Sequence, residues 1–185
     1  VTSTASARTD LEPLVAHGRE MGSMIGVDIT QAVGLIPFDA TNPKVDFVVS
    51  TSLKWMCGTP GAGILYVDKE LALKLEPEGR GWFSQNNPFS WDLDKFEYSP
   101  DIRRFDSGTP GSVPALASLP ALKWHSEQNH ADLAAWNRKL VDRIIRRADA
   151  LDLPLHSPRD AQSRGGSVML RFPDKPCLLY TSPSP

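Results

Sequence analysis

The stretch from Gly26 to Gly63 constrains the fold more than any other part of this chain. It holds two short apolar runs. Met24 to Val27 leads into Asp28, and Val45 to Val49 leads through Ser50-Thr51-Ser52-Leu53 into Lys54. Gly58, Gly61 and Gly63 follow. Both runs are rich in β-branched residues and short, so both read as buried strands. The residues from Asp10 to Met21 read as a helix, with Leu11, Leu14, Val15 and Met21 near one face. Thr9 or Asp10 can cap it and Gly22 can end it. Helix followed by strand is the order of a βαβ unit, which implies a parallel sheet.

Further along, Gln31 to Gly34 reads as a short helical turn, with Pro37 and Pro43 in the loop beyond it and Asp39 as a turn or cap residue. Ile64 to Val67 reads as another strand, and Asp68 as the cap of a short helix reaching Leu75. Glu76 to Arg104 is loop-like, with Trp82, Phe83, Phe89 and Trp91 set among prolines and glycines. Ser112 to Glu127 reads as a helix broken or kinked by Pro114 and Pro120. Asp132 to Ala150 reads as an amphipathic helix, with Leu133, Trp136, Leu140, Ile144 and Ala148 on one stripe. Leu153 to His156 and Ser167 to Phe172 look like strands. His17 reads as a helix-surface or packing residue, His125 and His130 as surface residues, Cys57 as a small buried one, and Arg164 as a surface or turn residue.

Asp28 and Lys54 carry the chemistry. Each sits just past a strand, and ligands of open α/β sheets bind outside the carboxyl ends of strands. A buried lysine forms an imine with an aldehyde once burial leaves the amine neutral. A buried carboxylate keeps a pyridine nitrogen protonated. These are the two anchors that pyridoxal 5′-phosphate requires as an electron sink. On the residues alone the plainer readings weigh more: Asp28 as a helix N-cap and Lys54 as a surface lysine.

The same stretch resembles the cofactor core of the class V aminotransferases, a fold-type I group that includes kynureninases and cysteine desulfurases. The residues carrying the likeness are Asp28 and Gln31; Gly34, Pro37 and Asp39; Asp46 and Phe47; Lys54; and Gly58-Thr59-Pro60-Gly61. The resemblance implies that Lys54 is the Schiff-base lysine and catalytic residue, that Asp28 pairs with the pyridinium nitrogen, and that Gln31 lies beside the ring's phenolic oxygen. It makes Thr51 a phosphate ligand and the strand at Ile64 antiparallel. Leu53 departs from the family, which often has His or Tyr before the lysine. Gly81-Trp82-Phe83 and Arg104-Phe105-Asp106-Ser107-Gly108-Thr109-Pro110 resemble kynureninase-type members. There Trp82 and Thr109 would reach the cofactor phosphate of a neighbouring subunit, so that a homodimer shares its active sites.

The implied fold class is α/β: part of the fold-type I large domain, a mostly parallel sheet with flanking helices, plus the start of a small C-terminal α/β domain. Residues 1–130 would belong to the first and 131–174 to the second. Residues 175–185 resemble a translated library adapter and read as a non-native tail. A first residue other than Met and a start in mid-fold mark the chain as a fragment, expected to be inactive alone. The 185 residues are 41% hydrophobic and 23% charged, a soluble globular profile. A net charge of −2 gives no electrostatic case for nucleic acid or an anionic membrane. Cys57 and Cys177 form no disulfide framework or zinc spacing, which fits a reducing cytoplasm and no metal. The implied activity is a pyridoxal-phosphate enzyme acting on an amino acid, as a kynureninase-like hydrolase or an aminotransferase. The alternatives are a cysteine desulfurase-like lyase and a truncated or degenerate, non-catalytic dimerising member.

Overall fold

The computed structural model describes residues 1–92 and 94–171. Phe172, Cys177 and the expected non-native tail lie outside the described residues. Two groups of residues each pack within themselves: 11–30 with 39–127, and 1–10 with 31–38 and 128–171.

The first group opens with α1, Glu12–Glu20. The expected cap at Thr9 or Asp10 is replaced by Leu11, which makes no side-chain cap bond. Pro13 and Glu12 in the first turn suit a start here, since proline has no amide hydrogen to leave unpaired and an acid favours the positive end of the dipole. Gly22, at φ +68°, ends the helix as expected, its amide donating to the Arg19 carbonyl. Of the expected apolar face only Val15 is buried, and Leu14 and Met21 are exposed. The helix approaches the strand that follows through Gly18, where a Cβ would strike the Ile25 side chain.

Three strands follow: β1, Gly26–Asp28; β2, Phe47–Thr51; and β3, Gly63–Val67. Their order is β1-β2-β3. β1 runs parallel to β2 with Asp28 opposite Val49, and β3 runs antiparallel with Gly63 opposite Thr51. The resemblance implied this antiparallel strand. Neither early run is a fully buried strand, however. Gly26 and Asp28 are exposed, and β2 alternates, burying Val48 and Ser50 while Val49 faces out. Alternation of side chains along a strand explains this: only one face of β2 meets the core, with Val45 fully buried at its entrance. α2, Lys69–Lys74, is capped by Asp68, which accepts from the Leu71 amide, as the sequence predicts.

Asp46 locks the start of β2 to the end of α1. Its Oδ2 accepts from Arg19 Nη1 and from the Ile25 amide, both at 2.6 Å. The Arg19 bond comes first among the causes that hold the carboxyl below its ordinary value of 3.8. A depressed carboxyl pKa contributes stability that is full above the unfolded value and is lost as pH falls through the folded one. Acid titration should therefore expose this contact below about pH 3.8. Asp46→Asn should cost about 1 kcal/mol at neutral pH, since Arg19 is partly solvated, and should flatten the acid limb of a urea-midpoint series. An unchanged acid limb would remove Asp46 from this role.

The long loop is held by Arg104. This residue is buried and donates to the carbonyls of Ser99, Ala72 and Leu75, so it closes the end of α2. Beyond it, α3 spans Ser112–Ser126 as one continuous helix, so of the expected kink or break the break does not occur. Pro114 falls in the first turn, where its missing amide costs nothing, and Pro120 forfeits a single interior bond.

In the second group α4, His130–Asp149, buries Val141, Ile145 and Ala148. The expected stripe is displaced: Trp136, Leu140 and Ile144 are exposed, and only Ala148 of that set is fully buried. The reason is anchoring on the adjacent face. Asn137 donates to the Gly166 carbonyl, and Asp142 Oδ1 accepts from Arg164 Nη2 at 2.6 Å. Arg164 is thus a buried structural residue, 5% exposed, and not a surface one. The two expected strands reduce to one antiparallel bridge, Leu155 with Leu170. Pro154 has no amide to extend the ladder, and the Met169 amide is taken by Ser157 Oγ at 2.8 Å.

Candidate active site

The site is built at the carboxyl ends of β1 and β2. Asp28 closes β1, and its Oδ1 accepts from the Thr30 amide at 2.8 Å. This two-residue step is an Asx turn, the reason the strand stops there. Thr30 Oγ1 in turn accepts from the Thr51 amide at 3.1 Å, and Thr51 Oγ1 accepts from the Leu53 amide at 3.1 Å. A chain of hydrogen bonds thus leads from the carboxylate of one strand to the residue before Lys54 on the other. Because Thr51 Oγ1 accepts within the chain, its hydroxyl hydrogen is left to donate.

Lys54 sits in a bend three residues past β2. The Cys57 amide donates to its carbonyl at 2.9 Å. Cys57 itself adopts φ +55°, a conformation that tightens the turn, and it is exposed, not buried as expected. The loop is tied to α3 in two places. Ser52 Oγ donates to the Thr59 or Ala62 carbonyl, at 2.9 and 3.1 Å, while Thr59 Oγ1 donates to the Pro114 carbonyl and the Thr59 amide to Ser118 Oγ, both at 2.9 Å. His125 Nε2 lies 3.0 Å from the Trp55 carbonyl. His125 is buried, 5% exposed, which corrects its reading as a surface residue.

Asp28 and Lys54 are both exposed. The burial that the imine chemistry requires is therefore not supplied by the described residues around them. Gln31 is half-buried at the start of a turn closed by the Leu35 and Ile36 amides on the Ala32 carbonyl. Trp82 begins a short 3₁₀ turn, Trp82–Ser84, and stands edge-on to Phe83 and Phe89 with centroids 4.7 and 5.9 Å away. Thr109 is exposed in the segment after a second 3₁₀ turn, Ile102–Phe105. These two motifs meet: a Cβ on Gly81 would strike the Ser107 carbonyl. Sequence reasoning missed Thr30, Ser118 and His125. Thr30 had a local signal, since a threonine two residues after an aspartate at a strand end suits an Asx turn. Ser118 and His125 act across 59 and 70 residues of chain, where no local signal exists.

The donor set fits pyridoxal 5′-phosphate: a carboxylate, a primary amine and a hydroxyl with its hydrogen to give, all at one carboxyl edge of a parallel strand pair. The fold agrees. The chain superposes on the apo cysteine desulfurase of Thermococcus onnurineus NA1 with a TM-score of 0.82 at 23% identity, over 94% of this chain and 42% of that one. That likeness is one of fold. Residues 2–176 match the family model described as aminotransferase class-V, and the chain belongs to this family. An uncharacterized aminotransferase, YcbU, of Bacillus subtilis is 34% identical over 113 residues, covering 61% of this chain and 29% of the relative. A probable cysteine desulfurase of Pyrococcus abyssi is 27% identical over 164 residues, 89% of this chain and 40% of the relative. Kynureninases also match, one from Pseudomonas fluorescens at 26% identity over 171 residues, 89% of this chain and 41% of the relative. The chain thus spans well under half the length of these curated relatives. Family members depend on pyridoxal phosphate.

Proposed function

We propose that this chain carries the lysine side of a pyridoxal-phosphate site acting on an amino acid, in a kynureninase-like hydrolase or an aminotransferase. The observation that carries this is the hydrogen-bonded path Asp28–Thr30–Thr51–Leu53 leading to Lys54. Bound pyridoxal phosphate supplies the electron sink for the bonds around the substrate's Cα. Lys54 Nζ would anchor the cofactor, then take and return the Cα proton. Asp28 retains lone pairs beyond the one facing Thr30, enough to accept from the ring N–H. Thr51 Oγ1 would donate to the phosphate. By resemblance, Gln31 would serve the ring, and Trp82 and Thr109 the phosphate of a partner subunit in a cytoplasmic homodimer. The division into a large domain, 1–130, and a small one, 131–174, belongs to the same proposal.

A desulfurase-like lyase is the second reading, and the match to the Pyrococcus abyssi protein over 89% of the chain favours it. Among the described residues no helix is long and apolar enough to cross a membrane. The test is reductive labelling. The chain is incubated with pyridoxal phosphate, reduced with borohydride and mapped by peptide mass. Selective label on Lys54 is expected; label spread evenly over the exposed lysines would overturn the reading.

A further inference from the structure

The hydroxyl cluster under the lysine loop has no part in the cofactor contacts proposed above. Ser118 is 1% exposed and Ser52 is 3% exposed. Ser118 Oγ accepts from the Thr59 amide at 2.9 Å and donates to the Pro114 carbonyl at 2.8 Å. It lies 3.0 Å from Thr59 Oγ1 and 3.4 Å from Ser52 Oγ. Three hydroxyls from two distant segments therefore meet, two of them buried and that of Thr59 half-buried. A buried polar cluster of this kind is worth most when complete, because each lost member leaves another unpaired.

The backbone is shaped around this cluster. A Cβ on Gly58 would come within 2.6 Å of Ser52 Oγ and 2.9 Å of Ser118 Oγ, so only glycine lets the turn close over the two serines. The Gly58 amide donates to the Ser52 carbonyl at 2.8 Å. Gly61, at φ +88°, brings the other arm of the loop against Pro114. Seven residues toward the end of α3 from Ser118, His125 meets the Trp55 carbonyl. α3 thus meets the loop on both sides of Lys54, at Ser52 before it and at Trp55 and Thr59 after it. An exposed lysine on an unsupported loop would sample many positions. One flanked by two buried anchors is confined before any ligand arrives.

We propose that Ser118 and His125 are positioning residues for the Lys54 amine, acting through Thr59 and Trp55; this rests on Lys54 being the cofactor lysine. The role predicts that removing an anchor frees the loop without unfolding the protein, and that the loosened amine loses its advantage over other lysines.

Two readouts test this on the full chain with Ser118→Ala, Thr59→Val, His125→Phe and the conservative Thr59→Ser. The first uses no cofactor: amide hydrogen exchange at Cys57 and Gly58, whose hydrogens close the bend. Loss of one anchoring bond should speed exchange there by about tenfold in the first three variants, with α4 amides unchanged as the control for folding. Thr59→Ser should behave as the native chain. The second is the share of borohydride-fixed pyridoxal phosphate found on Lys54, which should fall by a similar factor and return in Thr59→Ser. Should Ser118→Ala fail to fold, the half-buried Thr59→Val decides. Unchanged exchange at the loop would overturn the proposal. So would faster exchange with an unchanged Lys54 share, which would leave the cluster a purely structural device. Absence of selective Lys54 label in the native chain is a different failure: it removes the cofactor reading itself, and the positioning role with it.

Discussion

Lys54→Ala is expected to abolish selective capture of pyridoxal phosphate and, in an active protein containing this chain, to lower turnover by about 10²–10⁴-fold, the usual contribution of a positioned proton-transfer group. The argument is geometric. Lys54 is the amine that follows β2 at the carboxyl edge of the parallel pair, and the bend holding it is closed by the Cys57 amide on its carbonyl. Among the described residues the other lysines lack this setting; Lys44, for example, pairs with Asp68 at 2.9 Å. Asp28→Asn separates the two roles. It should leave Lys54 labelling intact, since the Asn side-chain carbonyl can still accept from Thr30, but depress turnover because a neutral amide does not hold a ring nitrogen protonated. Selective capture surviving in Lys54→Ala, or turnover within tenfold of native, would refute the assignment.

Gly81→Ala should carry the largest structural penalty outside the lysine loop, about 3 kcal/mol, at the upper end for overpacking. Its backbone is extended, at φ −125°, so conformation is not the obstacle. The obstacle is space. The added methyl would meet the carbonyl of Ser107, a backbone group that cannot swing aside as a long side chain does. The Gly81 amide also donates to Ser84 Oγ at 3.0 Å, which ties it into the Trp82 turn. Relief therefore requires the Trp82 turn and the Ser107–Thr109 segment to move apart. A denaturant midpoint within error of native would show that the two motifs are not in rigid contact. If they are, the substitution also disturbs any surface that Trp82 and Thr109 present together.

The positions of β1, β2 and the Asp68-capped α2 were legible because strands and caps are written in local composition and spacing. The family likeness added the antiparallel β3. What could not be read was exposure. The run Met24 to Val27 is apolar, yet Met24 is 60% exposed and Gly26 is exposed too, because composition reports what can be buried and not what is. α4 shows the same limit. Its apolar residues at 140, 141, 144, 145 and 148 make a stripe wide enough for two choices, and the polar anchors at Asn137 and Asp142 select one. Arg164 and His125 looked like surface residues because charged and aromatic polar side chains usually are; their partners lie 22 and 70 residues away in the chain. At the candidate site, Asp28 and Lys54 stood out by their places after the two strands and, with Thr51, took their roles from the family resemblance, whereas the Thr30 link and the contacts with α3 arise only when the chain is folded.

The three-stranded sheet has a consequence for handling the chain. With β2 in the centre, β1 and β3 are the two margins among the described residues. β3 offers Ile64, Leu65 and Tyr66 to solvent in succession, at 40%, 45% and 37% exposure, beside a row of backbone groups facing outward. Such a margin is a template for adding another strand, and no proline or inward-pointing charge interrupts it between Gly63 and Val67. Crowding the chain during refolding is therefore expected to invite strand-to-strand aggregation at this edge, which dilute conditions should relieve.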